Sequence, residues 1–273
     1  MASRSPWLHE EEARAQGFEL RYELFDFDER RLADSELGPL LHRLTSEGYC
    51  GVNVTFPFKQ AVIPLLDELA ECAEAVGAVN TIAMRDGRLV GYNTDTTGFA
   101  LSLAEGLPGS SLACVLLLGA GGAGSAVASA LLSMGTQELI VADIVLERAE
   151  ALVERLGHRF GVTRAVARAI DDVAMQSVDG IVNTTPMGMA AHPAPAIAAG
   201  QIETRHWVAD IVYFPLETEL LKIARGKGCR VLNGVGMVVS QAALAFGIMT
   251  GRVADRARMQ ASFSEAVASK TRL

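Results

Sequence analysis

Gly119-Ala120-Gly121-Gly122-Ala123-Gly124 constrains this chain more than any other segment. It follows an unbroken apolar run, residues 112–118, and opens an alanine-rich stretch, residues 123–134. A buried strand, a glycine turn and a helix in that order begin a βαβ unit, which commits the surrounding chain to a parallel sheet. The spacing is G-x-G-x-x-G. The first glycine permits a tight turn, the second lets the backbone approach a pyrophosphate, and the third allows close helix–strand packing. The helix start presents free N–H groups and the positive end of its dipole. A glycine-rich turn in an alanine-rich protein can be packing alone, but the strand–turn–helix context favours dinucleotide binding.

Asp143 stands nineteen residues beyond Gly124, at the end of the next strand. A carboxylate there accepts hydrogen bonds from an adenosine ribose and repels a 2′-phosphate. Ile144 and Val145 supply no cationic clamp, and Arg148 is the nearest candidate. The competing assignment for Asp143 is a cap on the following helix. The expected cofactor is NAD, with NADP less favoured.

Around this unit the chain alternates strictly between strand and helix patterns. Residues 113–118, 139–142, 164–167, 180–182, 208–211 and 230–232 read as strands; residues 123–134, 146–160 and 217–227 read as helices. That rhythm predicts an α/β fold with a doubly wound, Rossmann-type parallel sheet over residues 101–235. Residues 1–100 read differently. Ser5-Pro6 opens a helix to about Gly17, residues 21–27 alternate towards strand, and Leu37, Leu40, Leu41 and Leu44 recur at helical spacing. Residues 51–54 form a short strand, and residues 59–77 a helix interrupted by Pro64. Asp86-Gly87 turns a hairpin between residues 81–85 and 88–92. Helical patterns over residues 237–247 and 254–268 return to this region. The expectation is a substrate-binding α/β domain of residues 1–100 and 236–273, with a cleft between it and the dinucleotide-binding domain.

Composition narrows the partners. The net charge is −8 at neutral pH and no basic stripe offsets it, so no nucleic acid is expected, because phosphate backbones need dense Lys/Arg surfaces. Cys50, Cys72, Cys114 and Cys229 lie far apart, as do His9, His42, His158, His192 and His206. That spacing offers neither a metal site nor a disulfide framework. The N-terminus has no apolar run for a signal peptide. Residues 106–137 carry no charge and are long enough to cross a bilayer, yet four glycines break the stretch in its middle. A cytoplasmic, reducing-compartment protein without membrane association is expected.

A second set of motifs lies outside the glycine unit. Asn53-Val54-Thr55-Phe56-Pro57-Phe58-Lys59, Gly77-Ala78-Val79-Asn80-Thr81 and Asn93-Thr94-Asp95 each sit at a strand end. Polar residues at such junctions converge into sites. A lysine and an aspartate brought together would form a proton-transfer pair; taken singly, each is as readily a surface residue or a cap.

Read together, these motifs make the chain similar to the shikimate/quinate dehydrogenase family over nearly its whole length. The resemblance is carried by Ser3-Arg4-Ser5-Pro6, by Asn53-Val54-Thr55-x-Pro57-x-Lys59, by Gly77–Thr81, by Asn93-Thr94-Asp95 and by Gly119–Gly124. It continues through Asn183-Thr184-Thr185-Pro186-Met187-Gly188-Met189, Asp210-Ile211-Val212-Tyr213-Phe214-Pro215 and Gly234-Val235-Gly236-Met237-x-x-x-Gln241.

The resemblance implies an enzyme that interconverts a ring hydroxyl and a ketone on a hydroxylated cyclohexene or cyclohexane carboxylate. It implies Ser3 and Ser5 for the substrate carboxylate, with Thr55 and Tyr213 assisting, and Asn80 and Gln241 for ring hydroxyls. Lys59 and Asp95 would be the acid/base pair. Thr185, Pro186, Met187, Gly188, Ile211 and Gly234 would line the nicotinamide half of the cofactor site. NADP-using members carry Asn-Arg-Thr where this chain has Asp143-Ile144-Val145, which points to the NAD-using branch, as do Met187-Gly188-Met189 and Thr218-Glu219-Leu220-Leu221. That branch often carries threonine where this chain has Ser5, and family members have a strand before the motif where this chain has only Met1 and Ala2. The expected reaction is shikimate to 3-dehydroshikimate as monomer or homodimer. The alternatives are quinate or aminoshikimate dehydrogenation, or a catalytically weak dinucleotide-binding sensor, against which Lys59 and Asp95 together argue.

Overall fold

The computed structural model describes residues 5–270. The chain divides into two compact units, one running to Thr94 and resuming at Val239, the other comprising Asp95–Val238.

The first unit opens with α1 (Ser5–Ala15), where Pro6 occupies the first turn and needs no amide partner, followed by α2 (Phe27–Arg30) and α3 (Leu37–Ser46). Then come β1 (Gly51–Asn53), α4 (Phe58–Ala61), β2 (Glu68–Leu69), α5 (Glu71–Val76), β3 (Thr81–Arg85) and β4 (Arg88–Tyr92). The strands order as β1-β3-β4-β2. Asp86 and Gly87 both have positive φ, 51° and 76°, the conformation a two-residue hairpin turn demands. Leu37, Leu40, Leu41 and Leu44 bury the inner face of α3 against Val62, Val79, Ile82, Met84 and Leu89.

Two expectations for this unit give way. Residues 21–27 form no strand, because their polar partners are side chains: the Tyr22 amide donates to Glu10 Oε1 (2.9 Å) and its hydroxyl to Asn53 Oδ1 (3.0 Å). The helix expected over residues 59–77 is instead α4, a 3₁₀ turn at Ile63–Leu65, β2 and α5. Pro64 removes a helical donor, and the following amides pair with β4, Asp67 N with Leu89 O (3.0 Å) and Ala70 N with Gly91 O (2.9 Å).

The second unit contains α6 (Asp95–Gly106), β5 (Cys114–Leu118), α7 (Gly122–Ser133), β6 (Glu138–Ala142), α8 (Leu146–Phe160) and β7 (Ala165–Ala167). β8 (Gly180–Asn183), β9 (Trp207–Asp210), α9 (Glu219–Gly226) and β10 (Arg230–Leu232) complete it. α10 (Val235–Thr250) carries the chain into the first unit, which ends with α11 (Arg256–Lys270). The six strands order as β10-β9-β8-β5-β6-β7, every pair parallel. Alternate residues of β5 feed opposite faces. Val115 and Leu117 join a core with Phe99, Leu103, Val127 and Leu131; Leu116 and Leu118 join another with Ile140, Ile181, Val208 and Leu220. Strand order reverses between β5 and β8, the place where open parallel sheets bind ligands. The uncharged stretch 106–137 is thus a loop, β5, the glycine turn and α7, and no helix of the described residues is long and apolar enough to cross a membrane.

α1 and α11 pack together in the first unit, joined by an ion pair between buried Glu12 and half-buried Arg258. Glu12 has no exposed side-chain surface, and Arg258 reaches both its oxygens (2.9 and 2.8 Å), joined by the Asp255 amide (2.9 Å) and Gln16 (2.7 Å). Burial pushes the Glu12 carboxyl up, but the bonds from Arg258, Asp255 and Gln16 outweigh it and hold its pKa below the ordinary value. Three residues earlier, His9 is 1 % exposed, its ring 5.2 Å from Tyr22 and 6.0 Å from Phe246. Burial pulls its pKa down to about 4.

Both groups make the first unit acid-labile, in two windows. The unfolded chain protonates His9 below its ordinary value of 6.5, while the folded chain refuses the proton until about 4. Stability is therefore full above that window and falls as pH drops through it, by about 1.4 kcal/mol per unit and about 3 kcal/mol in all. Glu12 adds a later loss, present above the ordinary carboxylate range and gone as pH falls through its depressed folded value. His9→Phe is expected to flatten urea-unfolding midpoints between pH 6.5 and 4 while leaving the steeper fall below; an unchanged slope in the upper window would exclude His9 as its cause.

Candidate active site

In the first unit, backbone hydrogen bonds bring three separate motifs into one place. Val54 N donates to Asn80 O (2.8 Å), Val79 N to Lys59 O (2.8 Å) and Asn80 N to Tyr92 O (3.0 Å). Asn80, 3 % exposed, is the centre. Its Nδ2 donates to Thr94 Oγ1 (3.0 Å) and Gln241 Oε1 (3.2 Å), and its Oδ1 accepts from the Thr94 amide (2.9 Å) and the Thr81 hydroxyl (3.0 Å). Asn80 and Gln241, expected to hold ring hydroxyls, thus meet across 161 positions of sequence.

Around that centre, Asn53 Nδ2 reaches Thr81 Oγ1 (3.2 Å), and its Oδ1 accepts from the Tyr22 hydroxyl (3.0 Å). Burial pushes the Tyr22 phenol up to about 12, against a hydrogen bond with Ser5 that pulls the other way. Ser5 stands at the start of α1, while Ser3 lies outside the described residues. Lys59 sits half-buried in the single turn of α4, and Thr55 is exposed just before it. Asp95 begins α6 in the second unit and is 4 % exposed. Thr81 and Thr94 lie in motifs the sequence singled out but carried no role of their own there, and Tyr22 was read only as part of an alternating segment.

In the second unit the glycine turn has the shape its spacing predicts. Gly119 has φ +99°, and a Cβ on Gly124 would fall 2.1 Å from Gly119 O. A Cβ on Gly121 would meet nothing within 4 Å, leaving open space in front of the turn. The amides of Gly122, Ala123 and Gly124 lie in the first turn of α7, where no intrahelical acceptor exists. These features fit a pyrophosphate.

Asp143 does not cap α8, whose N-cap is Val145 with no side-chain bond; its carboxylate is held by two backbone amides instead. Its Oδ1 accepts from the Val145 amide (3.0 Å), an Asx turn ahead of α8, and its Oδ2 from the Ala120 amide (2.8 Å), inside the glycine turn. The Ala120 amide is therefore turned towards Asp143. Ile144 is fully exposed and Arg148 is exposed on the first turn of α8.

Across the strand-order reversal, β8 and β9 end on the paired residues Asn183 and Asp210, both buried. Thr185, Pro186, Met187 and Gly188 follow Asn183; Ile211 and Tyr213 follow Asp210. The Thr184 hydroxyl donates to Leu118 O (2.7 Å) and Gly119 O (2.9 Å), fastening this loop to the glycine turn. A Cβ on Gly234 would lie 2.1 Å from Ile211 O, so only glycine admits that approach. Burial raises the Asp210 carboxyl pKa despite the bonds it accepts from Thr218, the Val212 amide and Asn183.

Comparison with known proteins matches two families. "Shikimate dehydrogenase substrate binding domain" matches residues 1–82, and "Shikimate 5'-dehydrogenase C-terminal domain" matches residues 234–262. The chain is similar to the shikimate dehydrogenase (NADP+) of Streptomyces avermitilis, 49 % identical over 96 % of this chain and 91 % of that one. It is similar to the quinate/shikimate dehydrogenase (NAD+) of Corynebacterium efficiens, 46 % identical over 96 % and 93 %. Among solved structures, quinate dehydrogenase from Corynebacterium glutamicum in complex with NAD superimposes with a TM-score of 0.91, at 44 % identity and 96 % and 94 % coverage.

Proposed function

The chain belongs to the shikimate dehydrogenase family, and from that premise we propose that it interconverts shikimate and 3-dehydroshikimate, preferring NAD. The observation that carries the substrate side is the meeting of Asn80 and Gln241 at 3.2 Å, two amides able to hold neighbouring ring hydroxyls. Ser3 and Ser5 take the substrate carboxylate, with Thr55 and Tyr213 beside it. When bound, the dinucleotide supplies the hydride exchange. Lys59 Nζ accepts the hydroxyl proton in the oxidative direction and returns it in the reductive one, with the Asp95 carboxylate as its partner.

Asp143 supports NAD over NADP. A carboxylate engaged with the Ala120 amide sits at the glycine turn, and Ile144 and Val145 bring no charge to receive a 2′-phosphate. The near relatives carry either nucleotide in their names, so the cofactor is a property of this chain's own residues. A hydrogen bond to a charged group contributes about 1.5–3 kcal/mol, so kcat/KM with NAD should exceed that with NADP by roughly tenfold or more. Asp143→Ser should narrow the ratio, chiefly by weakening NAD, since no cation is gained for NADP. Equal kcat/KM for the two nucleotides in the unaltered protein would contradict the assignment.

The same assays, run with shikimate and quinate, test the substrate. Quinate carries an extra hydroxyl on the carbon that bears the carboxylate. Ser5 gives that end of the site a hydroxyl but no methyl, so shikimate is expected to be preferred, by about a factor of ten at most.

A further inference from the structure

Asp210 is a buried carboxylate for which the reaction has no chemical use. It is 1 % exposed, and the three groups that donate to it are neutral. Asn183 Nδ2 (2.9 Å) and the Val212 amide (3.0 Å) reach Oδ1, while the Thr218 hydroxyl (2.6 Å) reaches Oδ2. Burying an ionisable group without a cation is unfavourable, and a strand end could be filled by an apolar side chain instead. The arrangement needs another reason.

Each bond from Asp210 leads to the same surface. Asn183 uses its second N–H on Met187 O (3.0 Å), and its Oδ1 accepts from the Thr185 amide (3.0 Å) and hydroxyl (2.7 Å). The Met187 amide closes back on Thr185 Oγ1 (3.2 Å). Thr218 packs under Gly188, where a Cβ would stand 3.0 Å from Thr218 Cβ and where φ is +95°. Thr218 also caps α9 through the Leu221 amide (3.4 Å). The bond to the Val212 amide spans Ile211, whose own amide is held by Asn183 O (3.1 Å). One carboxylate thereby fixes the Thr185–Gly188 turn, Ile211 and the start of α9.

We propose that Asp210 is a positioning residue that, through Asn183 and Thr218, holds the Thr185–Gly188 turn and Ile211 in the arrangement that receives the nicotinamide end of the cofactor. This rests on the assignment of that turn to the nicotinamide half of the site. Hydride transfer tolerates little displacement between donor and acceptor, and a misplacement of about 1 Å can cost 10²-fold in rate. The adenosine half is assigned to different supports, the glycine turn and Asp143, whose hydrogen bonds do not reach Asp210.

The test uses full-length Asp210→Asn and Thr218→Val, with Thr218→Ser as the conservative control. For each, kcat and KM with shikimate are measured, together with calorimetric dissociation constants for NAD and for ADP-ribose, which lacks nicotinamide. Asp210→Asn is expected to lower kcat about 10²-fold and to shrink the difference in affinity between NAD and ADP-ribose, leaving ADP-ribose within about twofold of the unaltered protein. Thr218→Val should move the same way by less, and Thr218→Ser should restore the unaltered behaviour. If Asp210→Asn does not fold, Thr218→Val decides. A kcat within about twofold in the folded variants, or NAD and ADP-ribose affinities falling together, overturns the proposal. An unaltered protein that turns over neither acid with either nucleotide overturns the functional assignment instead, before any variant is compared.

Discussion

Lys59→Ala is expected to lower kcat by about 10²–10⁴-fold, the usual contribution of a positioned acid/base, with NAD affinity unchanged. The local structure explains why one side chain carries so much. Lys59 lies in a single helical turn, and its carbonyl accepts from Val79, the residue before Asn80. The backbone bond therefore ties the proposed base to the residue before the one proposed to hold a ring hydroxyl. Lys59→Met keeps the length and apolar stem of the side chain while removing the proton-carrying atom, so it separates chemistry from packing. Near-normal kcat in Lys59→Met would falsify the assignment, whatever the alanine variant does.

Gly124→Ala should nearly abolish nucleotide binding and destabilise the second unit by about 3 kcal/mol, the upper end of what overpacking usually costs. The added methyl would meet Gly119 O at 2.1 Å. That carbonyl cannot retreat easily, because it accepts from the Thr184 hydroxyl (2.9 Å) and its own amide is bonded to Ala142 O (2.8 Å). Gly121→Ala is the informative contrast. Its methyl would enter open space, so the melting temperature should hold while NAD affinity falls, the methyl occupying room a pyrophosphate would use. Thermal melts and NAD titrations on both variants check this. A Gly124→Ala protein with unaltered melting and binding would show that the turn relaxes in a way its close contacts deny.

The second unit was legible because local and long-range preferences agree there. The helix at Leu146–Phe160 was placed to the residue, and the six strands fell within a residue or two of their observed bounds, since parallel strands buried on both faces read as plain apolar runs. The first unit is less transparent. Residues 59–77 have helical composition, but β2 gains partners from β4, twenty-odd positions away, and long-range pairing overrides local propensity. Residues 21–27 alternate like a strand because one side is half-buried, while the Tyr22 amide and the Leu24 carbonyl pair with side chains. At the site, single motifs were readable and their meeting was not. Nothing local links Asn80 to Gln241, or Asp210 to Thr218, and the importance of Asp210 comes from three bonds that only the folded chain makes.

The pairing of Glu12 with Arg258 has a consequence for how the chain is made. The two residues are 246 positions apart, and at roughly 5–20 residues per second the ribosome delivers the second about 12–50 s after the first. The second unit is complete once Val238 has emerged, but α1 must wait for α11 to pack against it and for Arg258 to neutralise Glu12. During that interval the nascent chain carries the whole of the second unit and an α1 whose helical partner has not yet been made. A message cut short before codon 258 would leave α1 without its α11 partner and Glu12 without its cation.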